Sequence, residues 1–464
     1  MLPMVTQFLR TRHWPTAFFF ATVLVAAHPS AAQVPDGATR PSTSPDIVAL
    51  RAEVNELRDE VSALRALLAD LRTAIGDRRS GPQAAPAAQV TPAQLEMLQS
   101  QVADLAQTKV ESASRQPVKL SGTILSNTFF NSGTANWLEN PNLVDASAAG
   151  SPTGSMSGTV RQSRIGLAMT GVAVGEWTAT GAVLADFFGG TPGFQTGTAM
   201  GLPRLVYAFG RLEREGTAIQ IGQDHVLLAP RDPSSLAALS FPMLFRSGNL
   251  YLRAPQVRVE QDLGRGWHSA IGIVAPIAGD AANVYQFAPE AGAGERSKTP
   301  AFQARLGVGR DNPDASSEAA FAVSGHVGKR RSAGTTSTSW AAAVDFRVRT
   351  GRIGAAGEWF IAENAEAFGG ALSQPGKASG GWIEGQLALS QRASLNAGAG
   401  IDTPDAAAGV LARVRNRTMF GNAMFAISPE LAASIEYRWL ETRGGLQPVN
   451  RRNHHVNAAF AVRF

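Results

Sequence analysis

Residues 452–464 read Arg-Asn-His-His-Val-Asn-Ala-Ala-Phe-Ala-Val-Arg-Phe. Val456, Ala458, Phe460, Val462 and Phe464 share one parity, while Asn457 and Arg463 hold the other. Successive side chains of an extended chain point to opposite faces, so this stretch carries one apolar and one mixed face. A strand of this kind with an aromatic at its end suits a transmembrane β-barrel. Terminal residues of soluble domains usually fray, so a β-branched and aromatic alternation there needs a structural cause. The competing reading is the closing strand of a soluble sandwich, which also buries one face.

The other end of the chain carries an address. Arg10, Arg12 and His13 precede an apolar run at 17–27, and Ser30-Ala31-Ala32 forms a small-residue cleavage site. This is the pattern of a secretory signal peptide over 1–32, too short to span as an ordinary transmembrane helix. No later segment offers a long unbroken apolar run, so no helical span is expected. The chain has no cysteine, which removes disulfides and thiolate metal sites.

Composition fits a barrel with a wet interior. The 464 residues are 44% hydrophobic and only 17% charged, with 47 glycines, because apolar and polar faces average out. Of the formal charge of +5, the signal peptide holds +2 and residues 33–116 hold −2 (nine basic, eleven acidic), so 117–464 keep +5.

Between signal and barrel lies a predicted stalk at 33–77. Ile47, Val54, Val61, Leu68 and Ile75 fill heptad position a, and Leu50, Leu57, Leu64 and Leu71 fill d. Arg51, Arg58, Arg65 and Arg72 at e face Glu53 and Glu60 at g, a pattern that favours parallel, in-register strands. Ser44-Pro45 reads as a helix start and Gly76 as its stop. Thirty such residues extend ~45 Å. Residues 78–90 form a Pro/Ala linker. A second short helix is expected in 91–116, opened by Thr91-Pro92-Ala93-Gln94 and carrying Leu95, Leu98, Val102 and Leu105.

Alternation marks sixteen candidate strands across 117–464, an all-β, antiparallel up-and-down barrel. Trp267/Ile271/Ile273, Phe302/Leu306/Val308, Trp340/Ala342/Val344/Phe346/Val348 and Leu205/Tyr207/Phe209 each read as a lipid-facing row. Connections alternate in length. Short turns fall at 172–175, 213–216, 262–266, 349–352, 391–392 and 428–430, with 310–317 somewhat longer. Longer segments fall at 133–156, 189–202, 224–252, 276–299, 328–338, 363–379, 402–414 and 441–451. Short periplasmic turns and long external loops are the habit of outer-membrane barrels, and an even strand number returns both ends to the periplasm.

One long segment is unusually apolar: Val226-Leu227-Leu228-Ala229-Pro230 and the run from Leu236 to Phe245. That much apolar surface requires cover, which the barrel mouth would supply. The expected constriction loop therefore carries Arg231, Asp232 and Arg246. Parity turns Arg164, Arg204, Arg258, Arg305, Arg347 and Arg438 toward the lumen, together with Asp186, Glu260, Asp345, Glu358, Glu384 and Glu436. Arginine rows in a pore concentrate anions; the plainer alternative is that these charges pair with one another. The seven histidines show no zinc-ligand spacing and no nucleophile partner, and His454-His455 point to opposite faces. No catalytic residue, metal or cofactor is expected.

With signal, heptad stalk and sixteen strands in order, the chain resembles the DcaP-like outer-membrane porins. Local strings carry the resemblance: Arg161-Gln162-Ser163-Arg164-Ile165-Gly166, the strand from Arg204 to Phe209 followed by Ile221-Gly222-Gln223, and Asn416-Arg417-Thr418-Met419-Phe420-Gly421-Asn422. It implies a homotrimer in the outer membrane of a Gram-negative bacterium, passing small anionic solutes such as dicarboxylates. It further implies Arg164 and Arg204 on the pore wall, and Phe464 as the signal to the barrel-assembly machinery. The chain departs in having four tyrosines and compact external loops, which leaves the solute open. A phosphate-selective porin is the nearest alternative. A different class is a structural anchor whose stalk engages peptidoglycan. No nucleic-acid partner is expected.

Overall fold

The computed structural model describes residues 118–147, 150–190, 201–277, 291–309, 317–405, 413–445 and 449–464. The signal peptide, heptad stalk, linker and second helix expected in 1–116 lie outside the described residues. The strands are β1 (Val118–Asn131), β2 (Ser155–Thr159), β3 (Arg164–Val174), β4 (Trp177–Asp186), β5 (Arg204–Arg214) and β6 (Thr217–His225). They continue with β7 (Arg253–Gly264), β8 (Trp267–Val274), β9 (Ala301–Gly309), β10 (Ser317–Ser332), β11 (Thr335–Thr350) and β12 (Ile353–Glu363). Last come β13 (Lys377–Ser390), β14 (Ala393–Pro404), β15 (Arg413–Ala426), β16 (Leu431–Gly444) and β17 (Asn450–Arg463).

From β3 to β17 each strand pairs antiparallel with its sequence neighbours, β9 with β10 included. β1 pairs with β17 on one side, and on the other with β2 through Asn127–Asn131 and with β3 through Val118–Thr123. Two short strands on one edge of β1 act as a single wall strand, interrupted at 160–163. The 17 segments thus make a closed antiparallel barrel of sixteen walls, with no free edge.

Outward rows are apolar and exposed. On β10, Phe321, Val323 and Val327 are about half exposed, while Ala320, Ala322, Ser324 and His326 between them are buried. In water such a surface would be an aggregation site; hydrocarbon gives it cover. Inward rows are polar instead, with Asn127, Gln256, Gln303, Asn422 and Asn457 buried in the interior. No described helix is long and apolar enough to cross a membrane.

Phe464 continues β17 into the seam with β1, exchanging backbone hydrogen bonds with Gly122 at 2.9 and 3.1 Å. Its ring lies over Gly122, where a Cβ would overlap it.

Two expectations require correction. Residues 328–338 are not a long loop: β10 and β11 run on to Ser332 and Thr335 and are joined by Ala333-Gly334 alone. Both joining residues have positive φ (48° and 80°), the twist-matched two-residue hairpin in which glycine is favoured. Polar strand ends beyond the bilayer resemble loop in sequence. The second correction concerns β5. Its register against β4 shifts at Val206, so that Leu184 faces Tyr207 and Ala185 faces Leu205. Leu205 points outward, 49% exposed, but Tyr207 and Phe209 share the parity of Arg211, which bonds the inward Glu260. One extra residue exchanges the faces of everything beyond it.

Candidate functional site: a looped lumen and its arginines

Residues 226–252, between β6 and β7, fold into the barrel and follow its inner wall. Leu227 and Leu228 donate their N–H groups to Gln303 of β9 (2.8 and 3.2 Å), and Ala229 donates to Ser324 of β10 (3.1 Å). Arg231 pairs with Asp345 of β11. Ser234 N–H reaches Glu384 of β13 (2.6 Å), its carbonyl accepts from Asn422 of β15 (2.8 Å), and the Ser235 hydroxyl reaches Glu436 of β16 (2.6 Å). The Ala237 carbonyl then accepts from Asn127 of β1 (3.1 Å) and from Gln162 (2.8 Å). Ser240 closes the circuit, its carbonyl accepting from Arg204 of β5 (2.6 Å).

The apolar side chains of the loop find their cover on small inward residues. Leu236 and Ala237 pack with Leu125, Ala432, Ala459 and Ala461. Met243 and Leu244 pack with Ala356, Trp382 and Phe420. Each fully buried Leu or Met contributes roughly 1.5–3 kcal/mol over exposure. Ser247-Gly248 press directly on the wall: a Cβ at Gly248 would overlap the Gly381 carbonyl, and one at Gly400 would overlap the Ser247 carbonyl. The 364–376 connection also folds inward, burying Leu372 and packing Phe368 and Ala371 with Leu250, which sequence patterning did not signal.

At the long-loop end, Arg164 of β3, Arg204 of β5 and Arg253 of β7 gather near Tyr251, with Asp186 and the loop's Asp232 as the carboxylates beside them. Asp186 stands opposite both Arg164 and Arg204 in the strand registers. Arg204 takes it in a two-pronged pair at 2.7 and 3.1 Å. Arg164 and Arg253 form no ion pair or hydrogen bond among the described residues, and buried guanidinium nitrogens of both lack a partner. Aromatic faces supply the remaining shell. Arg253 lies 5.7 Å from the Tyr207 ring and 5.6 Å from Tyr251, and Arg204 lies 5.6 Å from Phe188. Arg161 nearby is neutralised by Glu139. Arg253 escapes sequence reading because it opens its strand with outward parity; its contacts come from the end of the strand, where parity does not bind.

The remaining inward arginines are mostly compensated. Arg258 bonds Asp224 (3.2 Å) and Glu260 (2.7 Å), and Arg305 shares Asp345 with Arg231. Arg438 is buried, held by Glu436 (2.6 Å) and Asn140. Arg347 carries no ion pair among the described residues, and its Nε is buried without a partner. Of the loop residues, neither Arg231 nor Arg246 bonds to the Arg164 cluster. Arg246 bonds Ser373 (2.8 Å) and Asn142 (3.2 Å). Burial, with Arg413 nearby, lowers its pKa to about 10 against the pull of Asp145, which leaves it protonated at neutral pH. Asp232 accepts from Asn249 (3.3 Å) and lies 3.9 Å from His225.

The closed barrel recurs in known proteins. The outer-membrane channel DcaP of Acinetobacter baumannii superposes with a TM-score of 0.60 at 16% identity, covering 76% of this chain and 99% of that one. The chain has a DcaP-like porin fold. An anion-selective porin from Comamonas acidovorans matches at 0.50 and 13% identity, over 75% of this chain and all of that one. OprB of Pseudomonas putida matches at 0.50 and 8% identity, over 78% and 97%. No protein-family model matches the chain, and no curated protein is similar to it in sequence.

Proposed function

We propose that this chain is an outer-membrane porin whose lumen passes small solutes and prefers anions of the dicarboxylate type. The observation that carries the proposal is the surplus of three guanidiniums, Arg164, Arg204 and Arg253, over the two carboxylates beside them, Asp186 and Asp232. Fixed positive charge in a narrow, partly dehydrated passage attracts anions and repels cations. A porin of Comamonas acidovorans with the same fold is anion-selective, which supports the reading. In this reading the heptad at 46–75 joins three chains in the periplasm, and Phe464 is read by the barrel-assembly machinery. Purified full-length protein in planar bilayers should open steps of conductance and show an anion-signed reversal potential under a salt gradient. The loop's many anchors to the wall favour one competing reading, a plugged structural anchor, for which no conductance would appear at all.

A further inference from the structure

Two cavities lie on the short-turn side of the inserted loop. One, about 600 Å³ and set against β5–β9, mixes Arg211, Arg258 and Arg305 with Asp224, Glu260 and Asp262. The other, about 490 Å³, sits beneath Ser234 and Leu236 against β11–β17. Its walls hold Arg347, Arg349, Arg352, Arg392 and Arg463 and no carboxylate. Arg347 and Arg349 are inward residues of β11, Arg352 and Arg392 stand in the β11–β12 and β13–β14 turns, and Arg463 follows the buried Ala459 and Ala461 on β17.

Nearby carboxylates offset part of this charge. Glu318 stands opposite Arg349 in the β10–β11 register and offsets its charge. Glu384 accepts from Ser234 N–H and from Gln386. Glu430, fully exposed in the β15–β16 turn, accepts from the Ser428 hydroxyl. These neutral donors leave Glu384 and Glu430 charged, so Arg347, Arg352, Arg392 and Arg463 outnumber them by two on one side of one cavity. Such an array attracts in proportion to ligand charge, so it favours a polyvalent oxyanion over chloride.

We propose that this cavity is a second anion station, on the far side of the loop from Arg164 and Arg204, which binds small polyvalent oxyanions. It rests on the porin reading for how solute reaches it, but its occupancy can be measured without a membrane potential. Citrate is titrated calorimetrically into full-length protein in detergent at low salt, in the parent and in an Arg164→Ala background that reduces binding at the first cluster. Arg347→Ala and the double variant Arg352→Ala/Arg392→Ala should each weaken citrate by about tenfold, with chloride showing no comparable heat. The double variant changes only exposed turn residues, so it tests the cavity even where Arg347→Ala fails to fold. Citrate affinity unchanged in the folded double variant would overturn the proposal. Parallel bilayer recordings separate the two ideas. A conducting channel with variant-insensitive citrate binding rejects this station alone, whereas variant-sensitive binding without conductance rejects the porin reading and keeps the station.

Discussion

Replacing Arg164 by alanine removes a guanidinium that has no ion-pair partner among the described residues. The effect on selectivity can be worked from Coulomb's law. A hydrated ion passing at about 6 Å in water-like surroundings feels roughly 0.7 kcal/mol from one unit charge. That is a factor of roughly three in favour of a monovalent anion and the inverse for a cation, hence about tenfold in their permeability ratio. Lower effective dielectric in the passage enlarges the figure, and salt reduces it, since the Debye length falls from ~10 Å at 0.1 M to ~3 Å at 1 M. Arg164→Ala and Arg253→Ala should therefore each shift the anion-to-cation ratio toward cations by about tenfold at low salt, with the shift collapsing at 1 M. Arg204→Ala is a poorer probe. It leaves Asp186, 1% exposed, without its paired cation and cuts the bond to the Ser240 carbonyl. Reversal potentials under a salt gradient decide the matter. A cation-selective parent, or an Arg164→Ala channel with the parent's ratio at low salt, would refute the reasoning.

Three further outcomes are expected. Asp345→Ala removes the buried carboxylate that Arg231 and Arg305, both nearly buried, share, at a cost of about 3–5 kcal/mol. It should lower the temperature at which the barrel loses its heat-modifiable migration, and a melting profile equal to the parent's would count against the pairing. Gly248→Ala forces a Cβ into the Gly381 carbonyl at a φ of 96°, so the loop should lift from β13 and become cleavable by added protease; continued resistance of the loop would contradict its seating. A peptide of residues 44–109 should sediment as a parallel trimer, and a monomer at high micromolar concentration would remove the stalk from the assembly.

The barrel is legible because lipid and water impose period two on every wall strand. β10 and β17 show the same alternation in sequence and in burial. Reading fails where a local event leaves no mark. The shift at Val206 lies inside Arg-Leu-Val-Tyr-Ala-Phe, which contains no glycine or proline to announce a bulge. It fails differently at 329–332, where Lys-Arg-Arg-Ser has the polarity of a loop. There Arg330 is an inward strand residue that reaches Glu366 at 3.1 Å, so its polarity reflects a partner on another connection. The inward fold of 226–245 is readable from its hydrophobicity, since apolar residues in a loop need cover wherever they are.

Charge compensation is beyond parity for a physical reason. Parity places a side chain on the inner face, but which carboxylate it meets depends on a loop contributed from far along the chain. Glu358, Glu384 and Glu436 lie under the inserted segment, accepting from Leu250 N–H, Ser234 N–H and the Ser235 hydroxyl. Their oxygens hold the loop against β12, β13 and β16. Arg164 and Arg347, which the loop does not engage, keep no such partner. The loop's own arginines do not supply the positive field: Arg231 is held by Asp345, and Arg246 is fixed to Ser373 and Asn142. Insertion instead sorts the wall, occupying its carboxylates and leaving a few guanidiniums uncovered on either side. A variant with Glu384 and Glu436 changed to glutamine would therefore lose loop anchorage before it gained anion preference, which is the order of effects this sorting requires.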